Sequence, residues 1–316
     1  MTSTMKPTIG WVGAGRMGAA LATRLLDAGY DVSVYNRTRS KAEALSPRGA
    51  TIADRPVDLA DRTIVFVMVS ASHDLEAVMT GEGGLLTDPD RIPELIVDSS
   101  TVSSEVSARI RKQLADRHAE FLAAPVSGNP KVIASGKLTL AVSGPRAAFD
   151  RAEPLLRVLG RGVSYVGEGE VARLVKIAHN VFLGVVIQSL AEITVLAERG
   201  GVSRAAFLAF LNDSVMGSTF TRYKSPALVN LDFHPTFTNV LLSKDIELGL
   251  AAGRQLGVPM PIASATGMLV ASAIGAGYTD DDFATLVLEQ ARRSGYDIAS
   301  ENTPVDDGLA PEGDRS

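Results

Sequence analysis

The chain has 316 residues, 46% of them hydrophobic, which is enough to bury a sizeable core and by length fits two domains better than one. With 31 Lys and Arg against 36 Asp and Glu, the net charge of −5 leaves no broad basic field for nucleic acid or anionic lipid. The absence of cysteine excludes disulfides, thiolate zinc sites and cysteine nucleophiles, and His73, His118, His179 and His234 have no metal-ligand spacing, so no metal is expected.

The opening "MTSTMKPTIGWVG" runs straight into a strand-like segment without the charged and apolar regions of a signal peptide. From 8 to 166, short β-branched runs alternate with helical patterns: "TIGWVG", helix 16–28, "DVSVY", helix 38–46, "TIVFVMVS", "LIVDSS", "AEFLAA", "LTLAVSG" and "GVSYVG". Such alternation predicts an α/β domain, a doubly wound parallel sheet with helices on both faces. After Gly167 helix-period segments follow one another, over 169–199, 203–213, 238–256, 260–275 and 280–293, which predicts an all-helical domain. The expected division is therefore 1–166, 167–299 and a tail, 300–316, whose "SENTPVDDGLAPEGDRS" has too little to bury and is expected to be disordered. The longest apolar run, Val181 to Ala197, is interrupted by Gln188 and Glu192, so no membrane span is read and a cytoplasmic protein is expected.

The first strand leads into Gly13-x-Gly15-x-x-Gly18, which opens a helix and is followed by a second strand ending near Asn36. That context makes it a dinucleotide loop: Gly13 for the tight turn, Gly15 for close approach of a pyrophosphate, Gly18 for packing of helix on strand. The turn offers Gly13, Ala14, Gly15, Arg16, Met17 and Gly18 to a cofactor. An acidic residue at the end of the second strand would favour NAD by taking the ribose hydroxyls; Asn36, Arg37 and Thr38 stand there instead. A guanidinium beside two small polar groups suits a 2′-phosphate, so NADP, with NADPH preferred over NADH, is the expected cofactor.

Further along, "APVSGNPK" places Ser127, Gly128 and Asn129 after a strand. A hydroxyl, an unobstructed amide and a carboxamide together can hold a carboxylate, although the same residues also make ordinary turns. In "RLVKIAHNVFLGVVIQ" and beyond, Lys176, Asn180, Gly184, Gln188 and Glu192 recur at four-residue spacing and form one polar stripe on a helix. As bare pattern this is a solvated face; the alternative is a lysine held in a site for proton transfer.

Three segments, "GWVGAGRMGAALATRLLDAGYDVSVYNRT", "APVSGNPKVIASGKLTLAVSG" and "VGEGEVARLVKIAHN", in that order resemble the β-hydroxyacid dehydrogenase family, typified by 3-hydroxyisobutyrate dehydrogenase and tartronate semialdehyde reductase. The resemblance runs from about Thr8 to Ser294. It implies a Rossmann-type domain, a helical domain that commonly mediates oligomerisation (a homodimer or homotetramer here), and reversible oxidation of a small 3-hydroxy acid. It further implies Val69, Ser100 and Thr101 beside the nicotinamide, Lys176 as the catalytic lysine, Asn180 as holder of the substrate and Lys244 as a cofactor contact. The family usually has Asp where this chain has Ala123 and Gly where it has Asn129, which puts the substrate's identity in question. His179 reads as a supporting residue, and Arg222, Tyr223 and Lys224 as candidates for selecting an acidic or aromatic group on the substrate. Two rivals are weighed: an imine or ketone reductase of the same fold, which replaces the lysine by Asp or Tyr, and a catalytically silent NADP-binding reader, which would lose the lysine and asparagine.

Overall fold

The computed structural model describes residues 6–309. These residues fall into two compact units, divided between Lys176 and Ile177.

The first unit is built on strands β1 (Ile9–Val12), β2 (Val32–Tyr35), β3 (Thr51–Ile52), β4 (Ile64–Val67), β5 (Leu95–Asp98), β6 (Glu120–Ala123), β7 (Val126–Ser127), β8 (Thr139–Ser143) and β9 (Gly162–Gly167). They lie in the order β3-β2-β1-β4-β5-β6-β8-β7, with β9 beside β8. The six strands from β3 to β6 pair in parallel, whereas β8 runs antiparallel to β6 and β7 and parallel to β9. The expected doubly wound sheet is thus present, with a mixed edge. All seven strand segments read from the sequence are strands; β3 and β7, two residues each, are too short to leave a period-2 signal.

Helices α1 (Arg16–Asp27), α2 (Arg39–Glu43), α3 (Ser72–Thr80), α4 (Ser104–Ala115), α5 (Pro130–Ala134) and α6 (Arg146–Leu159) connect these strands. The strands read as unbroken apolar runs because both faces of the sheet are covered. Ile9, Trp11, Ile64, Phe66, Leu95 and Val97 pack into one layer with Leu21 and Leu25 of α1 and Phe149 and Leu156 of α6. Their neighbours Val12, Val65, Val67 and Ile96 face the other way, onto Leu75 and Met79 of α3 and Ile110 and Leu114 of α4.

The second unit contains most of α7 (Val171–Arg199), then α8 (Arg204–Asp213), α9 (Thr219–Asn230), α10 (Asn239–Leu256), α11 (Pro261–Gly275) and α12 (Leu286–Arg293). Its core gathers Ile187, Leu190, Ala191 and Val195 of α7 with Leu228, Leu242, Ile246, Val270 and Val287. Among the described residues, α7 alone is long and apolar enough to cross a bilayer by length and composition, and half of its most apolar window is buried inside the protein. Helix α9 is absent from the sequence reading: its polar face and internal Pro226 hide the period, and a capping box between Ser218 and Thr221 starts it.

Two boundaries differ from expectation. The division by contact falls between Lys176 and Ile177, inside α7, rather than after residue 166. The reason is that Ala172 packs in the sheet domain's core and Arg173 pairs with Asp98 at the end of β5, so the first turn of α7 belongs to the first unit. The tail expected to be disordered is placed over 300–309; residues 310–316 lie outside the described ones. Glu301 accepts the Arg204 and Ala205 amides at 2.6 and 3.0 Å and so caps α8, while Asn230 exchanges two hydrogen bonds with the Thr303 backbone. Capping and backbone pairing, neither visible as hydrophobic pattern, hold this segment.

Candidate functional site

In the first unit a crevice of about 340 Å3 lies where β1, β2 and β4 end, lined in part by Gly13, Gly15, Asn36, Arg37, Thr38, Lys41 and Val69. Open parallel sheets bind ligands at such C-terminal strand ends. The three glycines of the turn differ in what they permit. Gly13 has φ of +99°, and a Cβ there would sit 2.1 Å from the Met68 carbonyl oxygen; one at Gly18 would sit 1.9 Å from the Gly13 carbonyl oxygen. A Cβ on Gly15 meets nothing within 4 Å, and Gly15 caps α1 with no side-chain hydrogen bond. The turn is therefore packed tightly on the protein side and open on the crevice side, as close approach of a pyrophosphate requires.

Asn36 lines the crevice with both ends of its amide engaged: Oδ1 accepts the Ala14 amide at 2.8 Å and Nδ2 donates to the Thr38 carbonyl at 2.9 Å. It ties the glycine turn to the end of β2. Arg16 and Met17 form the first residues of α1. The Arg37 side chain is 84% exposed and its Nη1 donates to Asp74 Oδ1 at 3.0 Å. Lys41, on α2, adds a second cation to the crevice, and Asp74 and Glu82 add two carboxylates. The sequence reading missed these three; Lys41, one turn beyond Thr38, was within its reach.

After β5 the chain is locked by its own side chains. Asp98 Oδ1 accepts the Ser100 amide at 3.0 Å, and Ser100 Oγ accepts the Val69 amide at 2.9 Å. Ser100 is fully buried and has no surface to offer a ligand; Thr101, half-buried, has. Ser103 caps α4, so "DSSTVSS" is in part the polar helix start that its composition also allows.

In "APVSGNPK", Ser127 ends β7 and Gly128 takes φ of +143°. Asn129 is buried and caps α5, its Oδ1 accepting the Val132 amide at 3.0 Å. The cap engages only the oxygen of that carboxamide, in a five-residue helix with an otherwise unmet amide; the end from which a carboxylate could accept is Nδ2.

Lys176 is half-buried on α7, and Asn180 follows it by one turn. The solvated-face reading of the stripe does not hold in the second unit, because Asn180 and Gln188 are buried. Asn180 Nδ2 donates to Asp245 Oδ2 at 2.5 Å, and a Cβ on Gly184 would come within 3.0 Å of Leu242, so the stripe faces α10. Asn180 Oδ1 lies 3.0 Å from Nδ1 of His179, which is exposed. Lys244 is partly exposed, with Nζ 3.6 Å from Asp245 Oδ1. Some apolar residues of α7 also face solvent: Phe182 is 66% and Leu196 72% exposed, whereas Ile187, Leu190 and Val195 are buried.

Arg222, Tyr223 and Lys224 do not form a selecting patch. Lys224 is buried with Nζ 2.6 Å from Asp282 Oδ1 and 4.1 Å from the Phe283 ring centre, and Arg222 reaches Asp213 and the Asn212 carbonyl. Burial and the charge of Asp282 push the Tyr223 phenol upward, so it stays neutral. Burial acts to raise Asp282 as well, but the Lys224 charge and hydrogen bonds from Lys224, Ala284 and Thr236 hold its carboxyl below the usual range. Among the described residues no three His, Asp or Glu side chains gather as a candidate metal site.

A glycine turn closed behind and open in front, at the ends of parallel strands with two cations at its far side, defines a Rossmann-type dinucleotide-binding oxidoreductase. Residues 8–167 match the family model described as the NAD binding domain of 6-phosphogluconate dehydrogenase. Residues 167–289 match that described as NAD-binding of NADP-dependent 3-hydroxyisobutyrate dehydrogenase. Glyoxylate/succinic semialdehyde reductase 1 of Arabidopsis thaliana is 30% identical over 282 residues, 88% of this chain and 96% of that protein. The structure of a 3-hydroxyisobutyrate dehydrogenase from Salmonella typhimurium, 26% identical, covers 90% of this chain and 100% of its own at a TM-score of 0.79. An imine reductase from Myxococcus stipitatus, solved with NADP+ and 24% identical, covers 89% of this chain and 99% of its own, and shares the fold at a TM-score of 0.58. The chain belongs to the β-hydroxyacid dehydrogenase family and is an NAD(P)-dependent hydroxyacid dehydrogenase or reductase, acting on the CH–OH group.

Proposed function

We propose that the protein is an NADP(H)-dependent enzyme that reversibly oxidises a small 3-hydroxy acid to its semialdehyde or keto acid, with Lys176 as the acid–base group. The observation that carries this reading is Asn180, one helical turn from Lys176, buried with its amide fixed by Asp245. A carboxamide so held cannot rotate, and it presents a fixed polar group to the substrate beside a lysine.

The bound nicotinamide nucleotide supplies the hydride acceptor in oxidation and the donor in reduction. Neutral Lys176 takes the substrate hydroxyl proton in oxidation, and its ammonium returns a proton to the carbonyl oxygen in reduction. Asn180 orients the hydroxyl or carboxylate, with Ser127, the Gly128 amide and the Asn129 Nδ2 holding the carboxylate. Arg37 and Lys41 favour a 2′-phosphate, and the Gly15 side of the turn admits the pyrophosphate. Thr101 and Val69 border the nicotinamide, and Lys244 contacts the cofactor. Exposed Phe182, Leu196, Phe210, Ile262 and Met268 on the second unit support self-association, as a homodimer or homotetramer, in the cytoplasm. Lys176 favours this reading over imine reduction and over a silent reader.

A turnover screen of glyoxylate, succinic semialdehyde and 3-hydroxyisobutyrate with each cofactor tests the proposal. Turnover of 3-hydroxyisobutyrate with NADP+ is expected; turnover of glyoxylate or succinic semialdehyde alone, whose alcohols are 2- and 4-hydroxy acids, would overturn the 3-hydroxy acid assignment. Reduction of cyclic imines alone would replace this reading by the imine reductase one.

A further inference from the structure

The buried charges nearest Lys176 in the chain are not explained by the reaction itself. Arg173 lies three residues earlier on α7 and its side chain is 1% exposed; Asp98, at the end of β5, is 0% exposed. Every arm of the guanidinium is used. Nη1 donates to the Ser100 carbonyl at 2.5 Å, Nη2 to Asp98 Oδ2 at 2.5 Å and to Ser107 Oγ at 3.1 Å, and Nε to Ser107 Oγ at 3.2 Å. Glu170 Oε2 stands 3.7 Å from Nε. Asp98 in turn holds the Ser100 amide, and Ser100 holds the Val69 amide.

We infer that the Arg173–Asp98 pair is a positioning device for the proposed reaction, fixing the first turn of α7, and with it Lys176, to the loops that follow β4 and β5. The inference rests on the proposed role of Lys176.

Stability alone does not account for the pair. Taking two charges out of water offsets most of their attraction, and apolar residues of the same volume commonly serve as well or better. What a guanidinium adds is direction, since its planar fork fixes several acceptors in one geometry, which an ammonium cannot do. The three acceptors so fixed belong to α4 and the end of β5, and through Ser100 the tie reaches the Val69 amide after β4. A lysine charged with moving a proton needs its base held within a fraction of an ångström, and misplacement by about 1 Å costs on the order of 100-fold in rate.

The test is Arg173→Lys, alone and in a Lys176→Ala background, assayed with NADPH or NADP+ and whichever screened compound the wild type turns over fastest. Arg173→Lys is expected to lower kcat by roughly 10- to 100-fold while the KM and the NADPH dissociation constant stay within about 3-fold. In the Lys176→Ala background the same substitution is expected to lower kcat less than about 3-fold further, because the group it positions is gone. Equal losses in both backgrounds would make Arg173 merely structural and overturn the inference, as would an unchanged kcat in the single variant. If Lys176→Ala itself turns over normally, it is the proposed catalytic role that fails, which the Arg173 result does not imitate. Should Arg173→Lys not fold, Asp98→Asn, which keeps an oxygen for the Ser100 amide, carries the same comparison with the same outcomes.

Discussion

Replacing Arg37 by alanine isolates the cofactor preference. A charge-assisted hydrogen bond contributes about 1.5–3 kcal/mol, but Arg37 is 84% exposed and screened, so the lower figure applies and corresponds to roughly a tenfold change in affinity. Arg37→Ala is therefore expected to weaken NADPH about tenfold and to leave NADH within about twofold, measured by fluorescence titration or calorimetry. The crevice carries its own counterweight in Asp74, which already holds one arm of Arg37. Two unit charges about 7 Å apart in a water-like dielectric interact by about 0.6 kcal/mol, so Asp74→Asn is expected to tighten NADPH by roughly threefold. Raising salt from 50 to 500 mM narrows the NADPH advantage in the wild type. Equal weakening of NADPH and NADH in Arg37→Ala, or tighter binding of NADH by the wild type, would refute the assignment of Arg37 to the 2′-phosphate.

The two glycines of the turn separate folding from binding. Gly13→Ala forces a Cβ to 2.1 Å from a carbonyl oxygen at positive φ and is expected to lower the melting temperature markedly, whereas Gly15→Val, with open space ahead, keeps it within a few degrees and weakens NADPH at least tenfold. Similar melting losses in both variants would contradict this. Because the folded-state pKa of Asp282 is depressed, its contribution to stability is present above the unfolded value of about 3.9 and is lost as pH falls through the folded value. Asp282→Asn leaves the Lys224 cation buried and is expected to cost about 3–5 kcal/mol at pH 7, a gap that shrinks toward pH 2.5; parallel urea midpoints across that range would count against it.

The strands, the glycine turn and the order of domains were legible because they depend on local periodicity and on glycine's freedom, both written in consecutive residues. The uses of buried polar side chains were not. Arg173 finds Asp98 75 residues away, Lys224 finds Asp282 58 residues away, and the Arg204 amide finds Glu301 97 residues away. No window of sequence contains both members of such a pair. Asn36 and Asn129 illustrate the same gap at short range: as residue types they suit a ligand, yet unmet backbone amides of Ala14 and Val132 claim their oxygens first. The stripe on α7 was legible as spacing, but its partner was not: Asn180 pairs with Asp245 of α10, 65 residues away, while Gln188 pairs with Glu192 on α7 itself.

The amine at position 176 is tested most directly by removing it. For Lys176→Ala the expected result is an NADPH dissociation constant within about 3-fold of wild type together with a kcat lower by roughly 100-fold or more. Retention of wild-type turnover in that variant, with the cofactor still bound, would contradict the assignment of proton transfer to this lysine.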